Sequence, residues 1–223
     1  PSRTETENAT GRALGEIRHQ PLLTLFLLAV PVSCIHQFYF VHTAGFLGGL
    51  QEQASGFAVA VNKVFGVGGG GLMTIGQMSE IAVLAAMPLL ASKLSRKTLL
   101  AMGLMAYAAR MALFANHEAV GMAGVVLGVA MHGFAFGCFI FVAFMVVDEN
   151  TSSDVRASAQ SLFNLVIIGI GIIVGSKIAT SAATWSTDSE DKLSFEQLFH
   201  YPMWASLICL CALMLFYPNK QNN

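Results

Sequence analysis

Charge is scarce in this chain: Asp, Glu, Lys and Arg make up 11% of 223 residues, against about 25% in ordinary soluble domains. The formal net charge of -1 offers no basic patch, which argues against nucleic acid as a partner. Cysteine is sparse as well. Cys34, Cys138, Cys209 and Cys211 all fall within apolar runs and lack metal-type spacing, so they read as small apolar residues and no metal site is expected. Enzyme motifs are missing: the apolar runs contain no Ser/His/Asp set, no His-Glu-x-x-His and no paired catalytic carboxylates. The glycines at 66 and 68–71 run into Leu72 and Met73, not into the Lys and Ser or Thr that a phosphate-binding loop needs. Neither an enzyme nor a cofactor is expected. A polar start at Pro1 with no signal peptide reads as a piece of a longer protein.

What fills the chain is apolar sequence, with 55% hydrophobic residues and a mean hydropathy of +0.63. Residues 1–20 are polar, carry Arg3, Arg12 and Arg18, show no apolar period and read as a cytoplasmic loop. Residues 21–217 hold about six runs long enough, at 1.5 Å per helical residue, to cross a bilayer core of about 30 Å. They extend from Pro21 to about Gly45, with Pro31 expected to kink the middle, then over Leu72–Leu90, Thr98–Ala115, Val120–Val147, Ala157–Ala179 and Tyr201–Tyr217. Gly45 to Gly71 reads as a weaker region ending in a flexible connection, and residues 218–223 as a cytoplasmic tail. Gly124, Gly128, Gly133 and Gly137, and the Gly171-x-x-x-Gly175 pair, are small residues that admit a close neighbouring helix. With the polar start inside, Arg3, Arg12, Arg18, Lys93, Arg96, Lys97, Arg156 and Lys220 share the cytoplasmic side, against Lys63 and Lys192 opposite. The expected class is all-α integral membrane, with the lipid bilayer as its surroundings.

Gln77 and Glu80 stand out in the second run. Three residues apart, they share one helix face among Ile, Val, Leu, Ala and Met, and an ionisable group at that depth marks a functional site. The plainer reading is a Glu80 capped by Ser79 and Gln77, or braced by a distant arginine. Arg110, at roughly the depth of Glu80, is the candidate charge partner. His132, in the fourth run, reads either as a proton relay or as a neutral imidazole bridging two helices.

Several of these residues fall into ordered motifs. Gln77-Met78-Ser79-Glu80 with Pro88, Arg110-Met111-Ala112-Leu113-Phe114-Ala115, Met131-His132-Gly133, then Asp148 and Arg156-Ala157-Ser158-Ala159-Gln160 resemble the bacterial nucleoside:proton symporters of the major facilitator superfamily. The resemblance covers the carboxy-terminal half of such a transporter. It implies a six-helix bundle that faces a second, amino-terminal six-helix half, with substrate near the midplane between them. The first, second, fourth and fifth spans would line the cavity, while the third and sixth would support them from outside.

Carried over by motif, the family's Gln-x-x-Glu pair falls on Gln77 and Glu80, and the glutamine of its preceding helix on Gln37. Amides suit a nucleobase because each offers donors and an acceptor. Tyr39 and Phe136 are candidates to stack on the base, as are Phe38, Phe40 and Phe134. Glu80 and His132 are the candidates for proton coupling. The chain departs from the family where Tyr39 and Phe40 replace Thr and Asn, and where Phe136-Gly137-Cys138 lacks the family's Asp. The expected function is therefore proton-coupled import of nucleosides or related polar ring compounds across the inner membrane. The alternatives are transport of another small polar solute, such as a sugar or an aromatic acid, and a non-transporting membrane scaffold or receptor.

Overall fold

A computed structural model describes residues 3–53 and 55–219, with side chains from Ala9 onward. Eight helices follow one another: α1 (Arg3–Ile17), α2 (Leu22–Glu52), α3 (Phe57–Phe65), α4 (Gly70–Lys93), α5 (Arg96–Ala115), α6 (His117–Glu149), α7 (Arg156–Trp185) and α8 (Phe195–Phe216). All but α1 and α3 are long and apolar enough to cross a membrane, which gives the six expected spans. Each outlasts its apolar run at one end or both, and a serine caps the start of two of them. Ser95 Oγ accepts from Thr98 N at the start of α5, and Ser194 Oγ from Gln197 N at the start of α8. Helix α2 continues through Pro31 as far as Glu52, well past Gly45.

Two stretches differ from what the sequence suggests. The polar start is not an irregular loop but the helix α1, which buries Ala13 and Ile17 and docks on the turn before α7. Arg12 pairs with Asp154 at 2.5 Å, and the Glu16 carboxylate accepts from both the backbone N and the hydroxyl of Ser152. At the same end Arg96 meets Glu149 at 2.7 Å, Arg156 meets Asp148 at 3.6 Å, and Lys97 Nζ donates to the Met214 and Tyr217 carbonyls that terminate α8. Lys220 and residues 220–223 of the expected tail lie outside the described residues, as does the Arg3 side chain.

The second difference is the glycine-rich connection, which is clamped. Buried Gln51 donates to Asn62 Oδ1 at 3.0 Å and to the Gly66 carbonyl at 2.7 Å, and it accepts from Gly69 N at 2.7 Å. Asn62 closes the bracket by donating to the Gln51 carbonyl. Gly69 has a φ of +80°, and a Cβ there would sit 2.1 Å from the Ala44 carbonyl oxygen. Only glycine fits this crossing.

Packing in the bundle relies on small residues. Gly171 and Gly175 of α7 lie against Ser33 and Cys34 of α2, where Ser33 Oγ donates to the Ile167 carbonyl and Gln37 Nε2 to Ser176 Oγ. Helix α5 is interior, with Leu99, Leu100, Leu104, Tyr107, Arg110 and Phe114 fully buried against α6 and α8. The third span is thus buried within this half and lies behind the least covered helices. Helices α4 and α7 are the least covered, and Met78, Ile81 and Ile173 stand 65–72% exposed on them.

The contact that positions the site is between α4 and α6. A Cβ on Gly133 would fall 2.3–2.5 Å from the Ser79 backbone and the Glu80 nitrogen, so the two helices touch only because Gly133 has no side chain. Replacing Gly133 with Ala should therefore push the helices apart and destabilise the protein by about 1–3 kcal/mol. Gly45→Ala, whose new atom meets nothing within 4 Å, should change stability little. Thermal unfolding of both variants in detergent checks this; equal melting temperatures would contradict the close-packing account.

Candidate functional site

The α4–α6 contact brings Glu80 to His132. Ser79 Oγ donates back to the Gly76 carbonyl and accepts from Gly133 N at 3.0 Å, so Ser79 serves the crossing and does not cap Glu80. Gly76, on the same face of α4, leaves room for His132, whose Cβ would lie 3.1 Å from a Cβ added there. With the backbones this close, Glu80 Oε2 lies 3.3 Å from His132 Nε2. The carboxylate side chain keeps 25% of its exposure, whereas His132 is buried.

Behind His132 stands Arg110, fully buried on α5, with Nη1 3.0 Å from His132 Nδ1. The direct Arg110–Glu80 pair suggested by helix depth does not form; the imidazole lies between them. No carboxylate pairs with Arg110 among the described residues, and its Nε and Nη2 have no hydrogen-bond partner. Two ring faces take up that role in part. The guanidinium carbon is 4.2 Å from the Tyr39 ring centroid and 5.1 Å from that of Tyr107. Cation–π attraction of this kind is worth about 2 kcal/mol or more where both partners are desolvated.

A second imidazole belongs to the cluster. His36 stacks on His132 with centroids 5.4 Å apart, and its Nδ1 lies 2.7 Å from the Tyr107 hydroxyl. Phe40 meets both imidazoles edge-on, and half-buried Phe136 lies 5.9 Å from His36 and 6.4 Å from His132. Neither His36 nor Tyr107 stands out in the sequence as a site residue. The available signal for His36 was its spacing, since it precedes Tyr39 and Phe40 by one helical turn and shares their face.

The structure distributes the other candidates unevenly. Gln77 is exposed on α4, with no hydrogen bond to Glu80, on a face that the described residues leave uncovered. Gln37 is half-buried on α2, its amide nitrogen committed to Ser176, and its carbonyl oxygen accepts no hydrogen bond among the described residues. Phe136 remains accessible as a ring. Tyr39 is a correction: at 1% exposure it lies between Arg110, His132 and Phe114, so its face serves the guanidinium and cannot stack on a base. Phe38 is likewise buried.

Two concavities lie away from this cluster. One of about 650 Å³ opens at the end of the bundle between Phe46, Asn116, Asp188 and Glu196, where backbone donors from residues 190 and 192 hold the Asp188 carboxyl below its ordinary range. The other, of about 660 Å³, is an apolar groove between α3 and α4 lined by Phe57, Val61, Val64 and Met78. Neither includes Glu80. No group of His, Cys, Asp and Glu capable of holding a metal occurs among the described residues.

Comparison with known proteins gives these features a context. The profile of the nucleoside H+ symporter family matches residues 3–222. The chain is similar to the xanthosine permease of Escherichia coli, 28% identical over 116 residues that cover 51% of this chain and 28% of the permease. It is also similar to the nucleoside permease NupG of that organism, 31% identical over 106 residues that cover 47% of this chain and 25% of NupG. The crystal structure of nucleoside transporter NupG superimposes with a TM-score of 0.78 at 21% identity, over 94% of this chain and 51% of that one. The chain thus spans about half the length of the solved relative. The fold is that of about half of the solved NupG chain. With the family profile matched over nearly its whole length, this chain belongs to the nucleoside H+ symporter family.

Proposed function

We propose that this chain is the carboxy-terminal six-helix bundle of a proton-coupled symporter. In this reading it imports nucleosides by alternating access against an amino-terminal six-helix half in the cytoplasmic (inner) membrane. The observation that carries the proposal is the Glu80–His132 contact, backed by a buried Arg110, on a helix whose outer face this chain leaves uncovered. A scaffold would have little reason to bear three ionisable groups at membrane depth. Arg12, Arg18, Lys93, Arg96, Lys97 and Arg156 gather at one end of the bundle, which supports placing that end in the cytoplasm.

In the mechanism, Gln77 and the free carbonyl of Gln37 contact the polar edges of the substrate, and Phe136 supplies a ring face. Glu80, in contact with His132, is the coupling site. A proton bound there neutralises a charge that is costly to carry through the membrane midplane, and its release on the cytoplasmic side completes the cycle. The wall of the cavity opposite Gln77 and Glu80 belongs to the other half, in keeping with two concavities on this chain that include neither residue.

Replacing Glu80 with Gln in the full-length protein should leave membrane insertion intact and abolish accumulation driven by a pH gradient, while exchange of bound substrate persists. Parent-like accumulation by that variant would remove Glu80 from the coupling step. A second test addresses substrate choice. The positions where relatives carry Thr and Asn hold a buried Tyr39 and an apolar Phe40, so dependence on ribose hydroxyls should be weak. Ribonucleosides, deoxynucleosides and free bases should compete for uptake within about tenfold of one another, and Tyr39→Phe should not alter the ranking. A sharp loss of competition on removing the hydroxyls, or a changed ranking in Tyr39→Phe, would contradict the assignment.

A further inference from the structure

The three ionisable groups at the α4–α5–α6 junction are joined in a fixed order, and hydrogen-bond chemistry sets the protonation of the middle one. A guanidinium has five N–H donors, no acceptor, and stays charged in proteins. Arg110 Nη1 lies 3.0 Å from His132 Nδ1, so Nδ1 must offer its lone pair. A neutral imidazole with a bare Nδ1 carries its hydrogen on Nε2, and Nε2 lies 3.3 Å from Glu80 Oε2, within ion-pair distance though not aligned as a hydrogen bond. A second proton on the ring would set N–H against N–H and place two cations side by side in a buried space.

We propose that Arg110 is a positioning residue that acts through His132: it holds the imidazole as the neutral Nε2–H tautomer and so presents a permanent donor to Glu80, leaving Glu80 as the group that exchanges the proton. This rests on the coupling role given to Glu80 above, and it assigns the two proton-coupling candidates different duties. His132 orients and Glu80 titrates. Among the described residues the only directed hydrogen bond Arg110 makes is the one to His132, and its guanidinium carbon lies over the faces of Tyr39 and Tyr107. The other titratable groups that pack around His132 are His36 and Tyr39 from α2, with Tyr107 from α5 reaching it through His36. The Tyr107 hydroxyl meets His36 Nδ1 at 2.7 Å, a contact either tautomer can make because a hydroxyl both donates and accepts.

The test is nitrogen-15 NMR of the histidine rings in the full-length protein, with the His132 signals assigned by their loss in His132→Gln, alongside the pH profile of uptake. The parent should show His132 as Nε2–H with a bare Nδ1 throughout the pH range of uptake. In Arg110→Met the other tautomer or the imidazolium should appear. With the cation gone, half-maximal uptake should move to higher pH by about one unit. Arg110→Lys, which keeps charge and donor, should restore the parent tautomer and profile. A parent His132 that carries hydrogen on Nδ1, or that titrates within the uptake range, overturns the proposal, and this measurement decides even where Arg110→Met does not fold. An Arg110→Met protein of lowered stability with unchanged tautomer and unchanged pH profile overturns it too, because Arg110 would then be only a brace. Parent-like accumulation by Glu80→Gln would defeat the coupling role of Glu80 separately, since the tautomer is read without reference to transport.

Discussion

A guanidinium buried without a carboxylate is the constraint on which the rest of this bundle depends. Arg110 has lost all contact with solvent, and removing an ion from water costs several kcal/mol that its surroundings must offset. Three helices contribute to that compensation. Helix α2 brings the face of Tyr39, α5 brings Tyr107, and α6 brings the Nδ1 lone pair of His132. The nearest negative charge in the network, on Glu80 of α4, stands one imidazole away. Four of the six spans are therefore tied to one another through a single cation, and the carboxylate at the end of the chain of contacts is its only member that opens outward.

Close packing makes that chain of contacts possible. The missing side chain at Gly133 lets α4 and α6 touch at Ser79 and Glu80, and Gly76 makes room for the His132 Cβ. Further along α6, Gly137 packs against Val83. The helix passes through a π-turn at Phe136–Phe141, an irregularity that often accompanies function because it re-aims side chains over one turn. Helix α7 has a second π-turn at Leu165–Ile170, with its Ile167 carbonyl taken by Ser33 of α2.

Much of the fold was legible because apolar run length and bilayer thickness set the same scale, and the six spans follow from that match. The paired Gln77 and Glu80 were legible for a similar reason, since polar groups at membrane depth stand out against their neighbours. Features that depend on side chains meeting across helices were not. Depth alone suggested Arg110 with Glu80, but depth says nothing of helix phase, and phase turned Arg110 toward His132. Tyr39 looked like a ring for a base because its aromatic character was visible while its burial was not. The clamp on the glycine loop needs Gln51 and Asn62 to face each other across a turn, which composition does not convey. Helix α1 escaped because its few buried residues, Ala13 and Ile17, are too sparse to make an apolar period.

In the proposed cycle Glu80 takes up and releases a proton beside a fixed donor. Infrared difference spectra of the full-length protein in membranes, recorded on acidification with and without nucleoside, test it most directly. A carbonyl band of a protonated carboxyl should appear, respond to nucleoside and disappear in Glu80→Gln. A band that survives that substitution, or that ignores nucleoside, would contradict it.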